Sequence, residues 1–403
     1  MLAAPLIDIL TPTNLATEIS RLIISVSAEN RPFAAWKLPE SNRIHLIASF
    51  SSEAQRYAQT DLEMLPDGFV AAPFHSEEGV YFIPADEHWV WETDMETGIV
   101  RRIKGLDVSG QLLQEKFSVQ HLKNYLKPAL VSASSSENFQ TAVKEAIAAI
   151  ERQEFLKVVL SRQKQVAMPE CFQPVETFIE LGKHYPNAFV SFFAIPQAGV
   201  WMGATPEILV SVDKHEIFRT MALAGTQAKG DLVNLQQATW TQKEIAEQAM
   251  VSRYIINCFK KIRLREFEEK GPRTVAAGEL IHLRTDFEVD MRATNFPQLG
   301  TVMLELLHPT SAVCGMPKQA AMAFIAAHEH HDRALYSGYI GSVNIDSESH
   351  LFVNLRCMQL QEKSLILYAG AGITEDSVPE KEWLETEMKC NTMLHLIQPT
   401  DIR

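Results

Sequence analysis

Apolar residues after about residue 136 follow two patterns, short continuous runs and stripes at helical spacing. Continuous runs at Glu154–Arg162, Ala188–Ile195 and Leu365–Ile373 predict buried strands. Stripes with a period near 3.6 residues at Phe139–Gln153 and Trp240–Lys261 predict amphipathic helices. Strands and helices of this kind together indicate a mixed α and β fold, although the patterns do not give its topology.

The remaining elements follow from the same patterns and from turn residues. Residues 1–130 predict a helix and a mostly antiparallel set of strands, at Asn14–Ile24 and then Pro32–Lys37, Ile44–Phe50, Gly79–Ile83 and His88–Trp91. Beyond the polar boundary at Ser132–Asn138, further helices are predicted at Val175–His184, Pro297–Leu307 and Lys318–His328, and further strands at Arg273–Ala277, Glu279–Phe287 and Leu351–Leu360. No internal repeat of fixed period is present.

The last predicted helix, near Val378–Leu394, carries an acidic face. Glu382, Glu385 and Lys389 share that face because their spacings are three, four and seven residues. Carboxylates at the margin of a buried helix suit a hard cation. A solvated Glu–Lys ladder explains the same spacing, and so both interpretations remain open on the pattern alone.

Two charged residues lie among apolar neighbours at strand positions. Lys157 follows Leu156 in a predicted strand, where desolvation would favour its neutral form, although a lysine on a wet strand face gives the same pattern. Glu207 follows the turn Gly203–Pro206 at the head of an apolar strand. Burial would raise the pKa of this carboxyl and suit it to general acid chemistry, whereas capping or pairing with an arginine is the alternative.

Several polar residues and glycines form a second group of candidates, each with a structural alternative. Arg356 lies inside a predicted strand, where a buried guanidinium needs a carboxylate partner. Gly370 and Gly372 follow an apolar strand, so that backbone could approach a ligand closely or turn tightly. The other members are the Gly225–Thr226 pair, the strand residue His282, and the helical pair Glu244 and Glu247.

Composition narrows the class of protein. The chain has 403 residues, of which 46% are hydrophobic, enough for one large or two ordinary domains. The net charge of −13 argues against nucleic acid or an anionic membrane as partner, and any anionic substrate must then meet local cations or a metal. Five scattered cysteines, no basic leader and no 18-residue apolar run predict a soluble cytoplasmic protein.

In order along the chain, these segments resemble the chorismate-utilising enzymes over roughly residues 136–397. That family includes isochorismate synthases, salicylate synthases and the large components of anthranilate and aminodeoxychorismate synthases. The segments are Lys157–Arg162, Gly203–Glu207, Leu223–Thr226, Lys243-Glu-x-x-Glu247, His308-Pro-Thr-x-Ala312-x-x-Gly315-x-Pro317, Asp332-Arg-x-Leu-Tyr336-x-Gly338, Leu355–Cys357, Ala369–Ile373 and Glu382-x-x-Glu385-x-x-x-Lys389.

The resemblance implies a fold and a division of the chain. The fold is a single α+β unit in which two sheet-and-helix halves pack around a central active-site pocket. Residues 136–397 would form the chorismate-binding catalytic region, and residues 1–135 the variable N-terminal half. At the position of Lys157 the chain resembles the water-adding members, since the ammonia-using members carry glutamine there. At the position of Ala312 it resembles the isochorismate synthases, since salicylate synthases carry threonine there.

The resemblance also implies roles for individual residues. Lys157 would act as general base and Glu207 as general acid. Mg2+ would be held by Glu247 and Glu385, with Glu244 and Glu382 in support. Substrate would be bound by residues shared with the family's motifs, namely Gly225, Thr226, His282, Ala312, Tyr336, Arg356, Gly370, Gly372 and Lys389.

The implied reaction converts chorismate to isochorismate, which feeds menaquinone or catechol siderophore synthesis, and it needs no glutaminase subunit, no nucleic acid and no membrane. Three alternatives are weighed against it. A salicylate synthase would go on to eliminate pyruvate, and Ala312 argues against that. A chorismate-binding regulator without catalysis is disfavoured by the intact Lys157, Glu207 and carboxylates. An ammonia-using synthase is disfavoured by Lys157.

Overall fold

The structure is a computed structural model, and it describes residues 9–10, 12–75, 77, 79–94, 97–105, 117–127, 134–230, 234–278 and 280–397. Two predicted features fall partly outside these ranges, at residues 132 and 133 of the polar boundary and at Glu279. Seven α-helices lie in the described part, α1 (Pro12–Ala28), α2 (Ser136–Glu151), α3 (Pro174–His184), α4 (Gln242–Lys261), α5 (Leu299–Leu307), α6 (Lys318–His328) and α7 (Pro379–Ile397).

Twenty strands accompany them in the same ranges. In chain order they are β1 (Ile9–Leu10), β2 (Phe33–Lys37), β3 (Arg43–Ala48), β4 (Gln55–Tyr57), β5 (Gly68–Ala72), β6 (Val80–Pro84), β7 (Glu87–Thr93), β8 (Val100–Lys104), β9 (Lys157–Ala167), β10 (Phe189–Ile195), β11 (Gly199–Thr205), β12 (Ile208–Val212), β13 (Ile217–Ala228), β14 (Glu268–Ala277), β15 (Leu280–Asp290), β16 (Gly315–Met316), β17 (Tyr339–Ile345), β18 (Glu348–Val353), β19 (Cys357–Leu360) and β20 (Ser364–Ile373).

The strands form two sheets, and the described strand pairs are antiparallel. The eleven-stranded sheet has the order β1-β8-β7-β3-β2-β10-β11-β19-β20-β9-β16. The nine-stranded sheet has the order β14-β15-β13-β12-β18-β17-β5-β6-β4. Strands from residues 1–135 occur in both sheets, so this segment shares both sheets with the rest of the chain.

The two sheets pack face to face, and helices cover their outer faces. Strand β10 is apolar because both of its faces are buried. Phe189, Phe193 and Ile195 point into the core between the sheets, and the residues of the opposite face point toward α3. The rings of Phe189 and Phe352 stack across the sheets with centroids 4.3 Å apart. Helices α3 and α7 pack on the eleven-stranded sheet, and α4 and α5 on the nine-stranded sheet.

This architecture confirms the predicted α+β class, with two sheet-and-helix halves. Within the described part of the chain, no helix combines the length and the apolar composition needed to cross a membrane.

Several predicted boundaries were wrong. The strand predicted at Leu351–Leu360 is two strands, β18 and β19, which belong to different sheets and are separated by Arg356 with φ of +47°. The periodicity is continuous because both pieces are buried, and it therefore gives no sign of the change of sheet. The N-terminal prediction missed β1, β4, β5 and β8. Strands β1 and β4 are two and three residues long and β8 is rich in charged residues, whereas β5 is a buried apolar strand of five residues.

Candidate active site

A cleft of about 710 Å³, including the part open to solvent, lies where the two halves meet. Twelve of the predicted residues line it: Glu207, Gly225, Thr226, Glu247, His282, Ala312, Tyr336, Arg356, Gly370, Gly372, Glu385 and Lys389. Sequence reasoning missed other lining residues, most of them apolar: Val159, Pro206, Leu223, Ala224, Val313, Leu355, Tyr368 and Ala369. These carry no chemical signal in the sequence, because an apolar wall residue looks like any core residue.

Glu207 lies in the connection where the chain leaves the eleven-stranded sheet at β11 and enters the nine-stranded sheet at β12. The Val353 N–H donates to its carbonyl oxygen over 3.0 Å, which fixes the connection against the end of β18. The residue is 4% exposed. Burial raises the pKa of its carboxyl to about 7, in spite of the opposing charges of Lys157, Arg356 and Lys389. The group can therefore hold a proton near neutral pH.

Lys157 opens β9 and is 1% exposed. Its Nζ donates to Glu247 Oε1 over 2.6 Å, and this pair lies between β9 and α4. Burial raises the pKa of Glu247, but the Lys157 charge and hydrogen bond, with Lys389 and Lys243 beyond them, lower it more, so that the net shift is downward. Glu247 is thus a carboxylate at neutral pH.

The two predicted glycines on β20 are required for space. A Cβ at Gly372 would lie 2.8 Å from Glu247 Oε1 and 2.9 Å from Lys157 Cε, closer than a side-chain carbon can approach. The close neighbours of Gly372 are thus the Lys157–Glu247 pair. A Cβ at Gly370 would lie 3.0 Å from the Tyr336 hydroxyl, and the Gly370 carbonyl accepts a hydrogen bond from Lys389 Nζ over 2.8 Å.

Helix α7 contributes Glu385 and Lys389 to the cleft, one turn apart, with Nζ 2.6 Å from Oε1. The predicted common face is therefore real, and part of it points into a cleft. The third residue of that face, Glu382, is 2% exposed and accepts a hydrogen bond from Lys243 Nζ over 2.6 Å. Glu382 does not line the cleft, and its side chain is instead held by Lys243.

Arg356 lies beside His282 in the cleft lining. His282 Nδ1 lies 2.9 Å from the Gly225 carbonyl, which can only accept, so Nδ1 carries the proton. Nε2 is then free to accept from Arg356 Nη2, 3.4 Å away. Burial, followed by the Arg356 charge, lowers the pKa of His282 to about 3. The imidazole is therefore neutral, and the guanidinium keeps its other donors for a ligand.

Tyr336 is 4% exposed and stacks on Tyr368 with ring centroids 5.4 Å apart. Burial raises the pKa of the Tyr336 hydroxyl, so it stays a neutral hydrogen-bonding group. Glu244, predicted to support a metal, does not line the cleft, but a Cβ at the lining residue Gly225 would lie 3.3 Å from Glu244 Cβ. Glu244 Oε2 accepts from the Thr241 N–H over 2.6 Å in a capping box at the start of α4.

Comparison with known proteins explains this arrangement. The family model described as chorismate binding enzyme matches residues 83–398. This chain belongs to the chorismate-binding enzymes. It is 30% identical over 263 residues to the isochorismate synthase EntC of Escherichia coli K12, covering 64% of this chain and 66% of that one. It is 29% identical over 272 residues to the isochorismate synthase DhbC of Bacillus subtilis, covering 64% and 67%.

A solved structure agrees with the fold of this chorismate-binding enzyme. MenF, the menaquinone-specific isochorismate synthase from Escherichia coli, superimposes with a TM-score of 0.71 over 98% of this chain and 96% of that chain, at 19% identity. The EntC alignment spans just under two thirds of that relative's length. The comparisons therefore establish the family and the fold.

Residues of the cleft fit the magnesium ion that the family resemblance implies. Glu247 and Glu385 reach the cleft from α4 and α7, and Mg2+ is commonly held by one or two carboxylates together with water and substrate oxygens. Both carboxylates are neutralised here by lysines of the chain. In the described ranges no group of three His, Cys, Asp or Glu side chains is arranged to hold a metal, so the remaining ligands would come from water and substrate.

Proposed function

We propose that this chain is a Mg2+-dependent isochorismate synthase, which adds water at C2 of chorismate and releases the C4 hydroxyl. The observation that carries the proposal is an acid and a base on either side of the cleft wall: Glu207 lines the cleft, and Lys157 lies against the lining residue Gly372. Glu207 has a carboxyl pKa of about 7, and the buried Lys157 ammonium is close enough to lower it. The family assignment supplies the substrate class, and the relatives compared above are named isochorismate synthases.

Chorismate is a dianion, and the cleft offers cationic groups for it. Arg356 and Lys389 line the cleft with Gly370 and Gly372, and Lys389 Nζ donates to the Gly370 carbonyl over 2.8 Å. A guanidinium can bind a carboxylate through two parallel hydrogen bonds, and the neutral His282 leaves Arg356 free to do so. When bound, Mg2+ would neutralise Glu247, Glu385 and a substrate carboxylate.

The chemistry needs one proton removed and one delivered. Lys157 Nζ takes a proton from the attacking water, whose oxygen forms the new bond to C2. Glu207 gives its proton to the departing C4 hydroxyl, which leaves as water. Lys157 Nζ lies 2.6 Å from Glu247 Oε1, and this contact fixes the position of the amine that takes the proton. Both groups are shielded from bulk water, since Lys157 is 1% exposed and Glu207 is 4% exposed.

The test is a product assay with purified protein, chorismate and Mg2+, with and without EDTA, resolved by chromatography. Isochorismate that disappears with EDTA is the expected result. Salicylate with pyruvate would replace the proposal by a salicylate synthase, and an aminated product on adding ammonia would replace it by an ammonia-using synthase. Bound chorismate without turnover would identify a chorismate-binding protein that has no catalytic role.

A further inference from the structure

Lys243 joins the two helices that carry the cleft's acidic residues. It lies in the first turn of α4, and its Nζ is 2.6 Å from Glu382 Oε1 on α7. Helix α4 packs on β13 and β15 of the nine-stranded sheet, and α7 packs on β20 of the eleven-stranded sheet. The ion pair therefore bridges the two halves of the molecule at the edge of the cleft.

The surroundings of Lys243 are acidic. Its Nζ donates to Glu382 Oε1 over 2.6 Å, and the charges of Glu385 and Glu247 also act on it. These three carboxylates belong to the set assigned above to magnesium. The lysine is 29% exposed, whereas its partner Glu382 is 2% exposed. A permanent positive charge is thus held among the carboxylates that would attract a divalent cation.

Two other lysines pair with the same set, but both belong to the reaction. Lys157 pairs with Glu247 and Lys389 with Glu385, each over 2.6 Å. Lys243 takes no part in the mechanism above. Like charges repel, so an ammonium near these carboxylates opposes a second cation there. If neither a lysine nor a metal ion lay between them, however, the carboxylates on α4 and α7 would repel each other across the cleft.

We propose that Lys243 is an internal counter-cation, which holds α4 and α7 together in the metal-free chain and weakens the affinity of the acidic set for a divalent metal. The proposal rests on the magnesium role in the proposed function. It makes two predictions of opposite sign for removal of the charge: the metal-free protein becomes less stable, and the metal binds more tightly. A purely structural role for the ion pair predicts that stability and metal affinity fall together.

The experiment uses the full chain and three variants, Lys243→Met, Lys243→Arg and the control Lys381→Met. Lys381 is exposed and precedes Glu382 on α7, so its substitution removes an equal charge from the same neighbourhood. Binding of Mn2+ alone is measured from the free-ion electron paramagnetic resonance signal, without substrate, and thermal unfolding is followed in EDTA.

For Lys243→Met we expect a Kd for Mn2+ lowered about tenfold and a Tm in EDTA lowered by about 4 °C. Lys243→Arg, which keeps the charge, and Lys381→Met should stay within about twofold of the wild-type Kd. A Lys243→Met chain that folds only when Mn2+ is added also supports the proposal.

An unchanged or higher Kd in Lys243→Met overturns the proposal, as does a variant that fails to fold even with Mn2+. Failure of wild type and variant alike to bind Mn2+ overturns it too. The product assay is independent of these readouts. A wild-type enzyme that makes isochorismate in a Mg2+-dependent way, with an unchanged Kd in Lys243→Met, would retain the proposed function and lose only this inference.

Discussion

Two carboxyl groups in the same cleft are in opposite states. Glu207, where β11 passes to β12, is buried and has no ion-pair partner within 4.0 Å among the described residues, and the pKa of its carboxyl rises to about 7. Glu247, on α4, is bonded to the Lys157 ammonium over 2.6 Å, and the pKa of its carboxyl falls. Burial acts in the same direction on both groups. The close cation therefore decides which one keeps its proton.

The difference separates two chemical tasks. A proton donor must be protonated at the working pH, and a cation ligand must be charged. The fold meets both requirements with one residue type, because Lys157 forms a direct ion pair with Glu247 and acts on Glu207 only from a distance. Substitutions that exchange or remove these environments should therefore affect the two glutamates in different ways.

The largest expected effect is on turnover in Glu207→Gln. The amide has nearly the shape of a protonated carboxyl but cannot donate an acidic proton, so we expect kcat to fall about a thousandfold. Stability at pH 6 should change by less than about 1 kcal/mol, since a neutral group replaces a mostly neutral one. Steady-state kinetics and urea unfolding measure the two quantities. Retention of more than a tenth of wild-type kcat would remove Glu207 from the role of acid.

Glu247→Gln, unlike Glu207→Gln, should clearly lower the free energy of unfolding. It leaves the Lys157 ammonium, which is 1% exposed, without its charged partner, and we expect a loss of about 3 kcal/mol in the free energy of unfolding at pH 7. Urea unfolding of Glu247→Gln, Lys157→Met and the double variant gives the coupling between them. If the double variant loses as much free energy of unfolding as the two single variants lose together, the two residues are not coupled and the pair does not stabilise the fold.

The two carboxyls should also give opposite pH dependence of stability. Glu207 has a raised pKa, so its folded form binds more protons than the unfolded chain, and stability falls as pH rises from about 4.5 to about 7. Glu247 has a lowered pKa, so its contribution is present above the ordinary pKa of a glutamate and is lost as the solution becomes more acidic.

The measurement is Tm against pH for wild type, Glu207→Gln and Glu247→Gln. Glu207→Gln should gain relative to wild type as the pH rises from about 4.5 to about 7. The deficit of Glu247→Gln should be full and constant in that range, and it should shrink as the pH falls below the ordinary pKa of a glutamate. In kinetics, wild-type kcat/KM should fall about tenfold per unit of pH above the pKa of Glu207, at about 7. Parallel Tm curves for the two variants would contradict the comparison.

The smallest effect is expected at Gly372→Ala. The added methyl group must displace the Lys157–Glu247 pair, because it would lie less than 3 Å from both side chains. We expect kcat to fall about tenfold, with KM for chorismate changed less, since the groups assigned to its carboxylates, Arg356 and Lys389, are not displaced. Wild-type kcat in this variant would mean that the geometry of the pair is not critical.

Sequence reasoning found most of the cleft because the resemblance brought distant motifs together. Without it, the pattern around Lys157 fits a lysine on a wet strand face equally well, and Glu244 and Glu247 are indistinguishable on one helix. The structure separates that pair: Glu244 caps the first turn of α4, and Glu247, nearly one turn further along, points into the cleft. The rotation of a helix about its axis is set by packing, which a single chain's spacing does not contain.

Lys243 is a second case in which the sequence does not reveal the contact that a residue makes. It belongs to one of the recognised motifs, yet its partner Glu382 lies 139 residues further along the chain. Only the packing of α4 and α7 on their separate sheets brings the two charges together. The break at Arg356 was missed for a related reason, because β18 and β19 are equally buried in different sheets.

The sequence by itself determined the α+β class, most of the helices, the family resemblance and the residue types of the cleft, because periodicity and side-chain chemistry are local properties. The tertiary structure alone decided which carboxyl keeps a proton, which glutamate faces the cleft, and where the chain changes sheets. Those outcomes depend on distances between residues far apart in the chain. Electrostatic energy and desolvation are functions of such distances, and not of order along the chain.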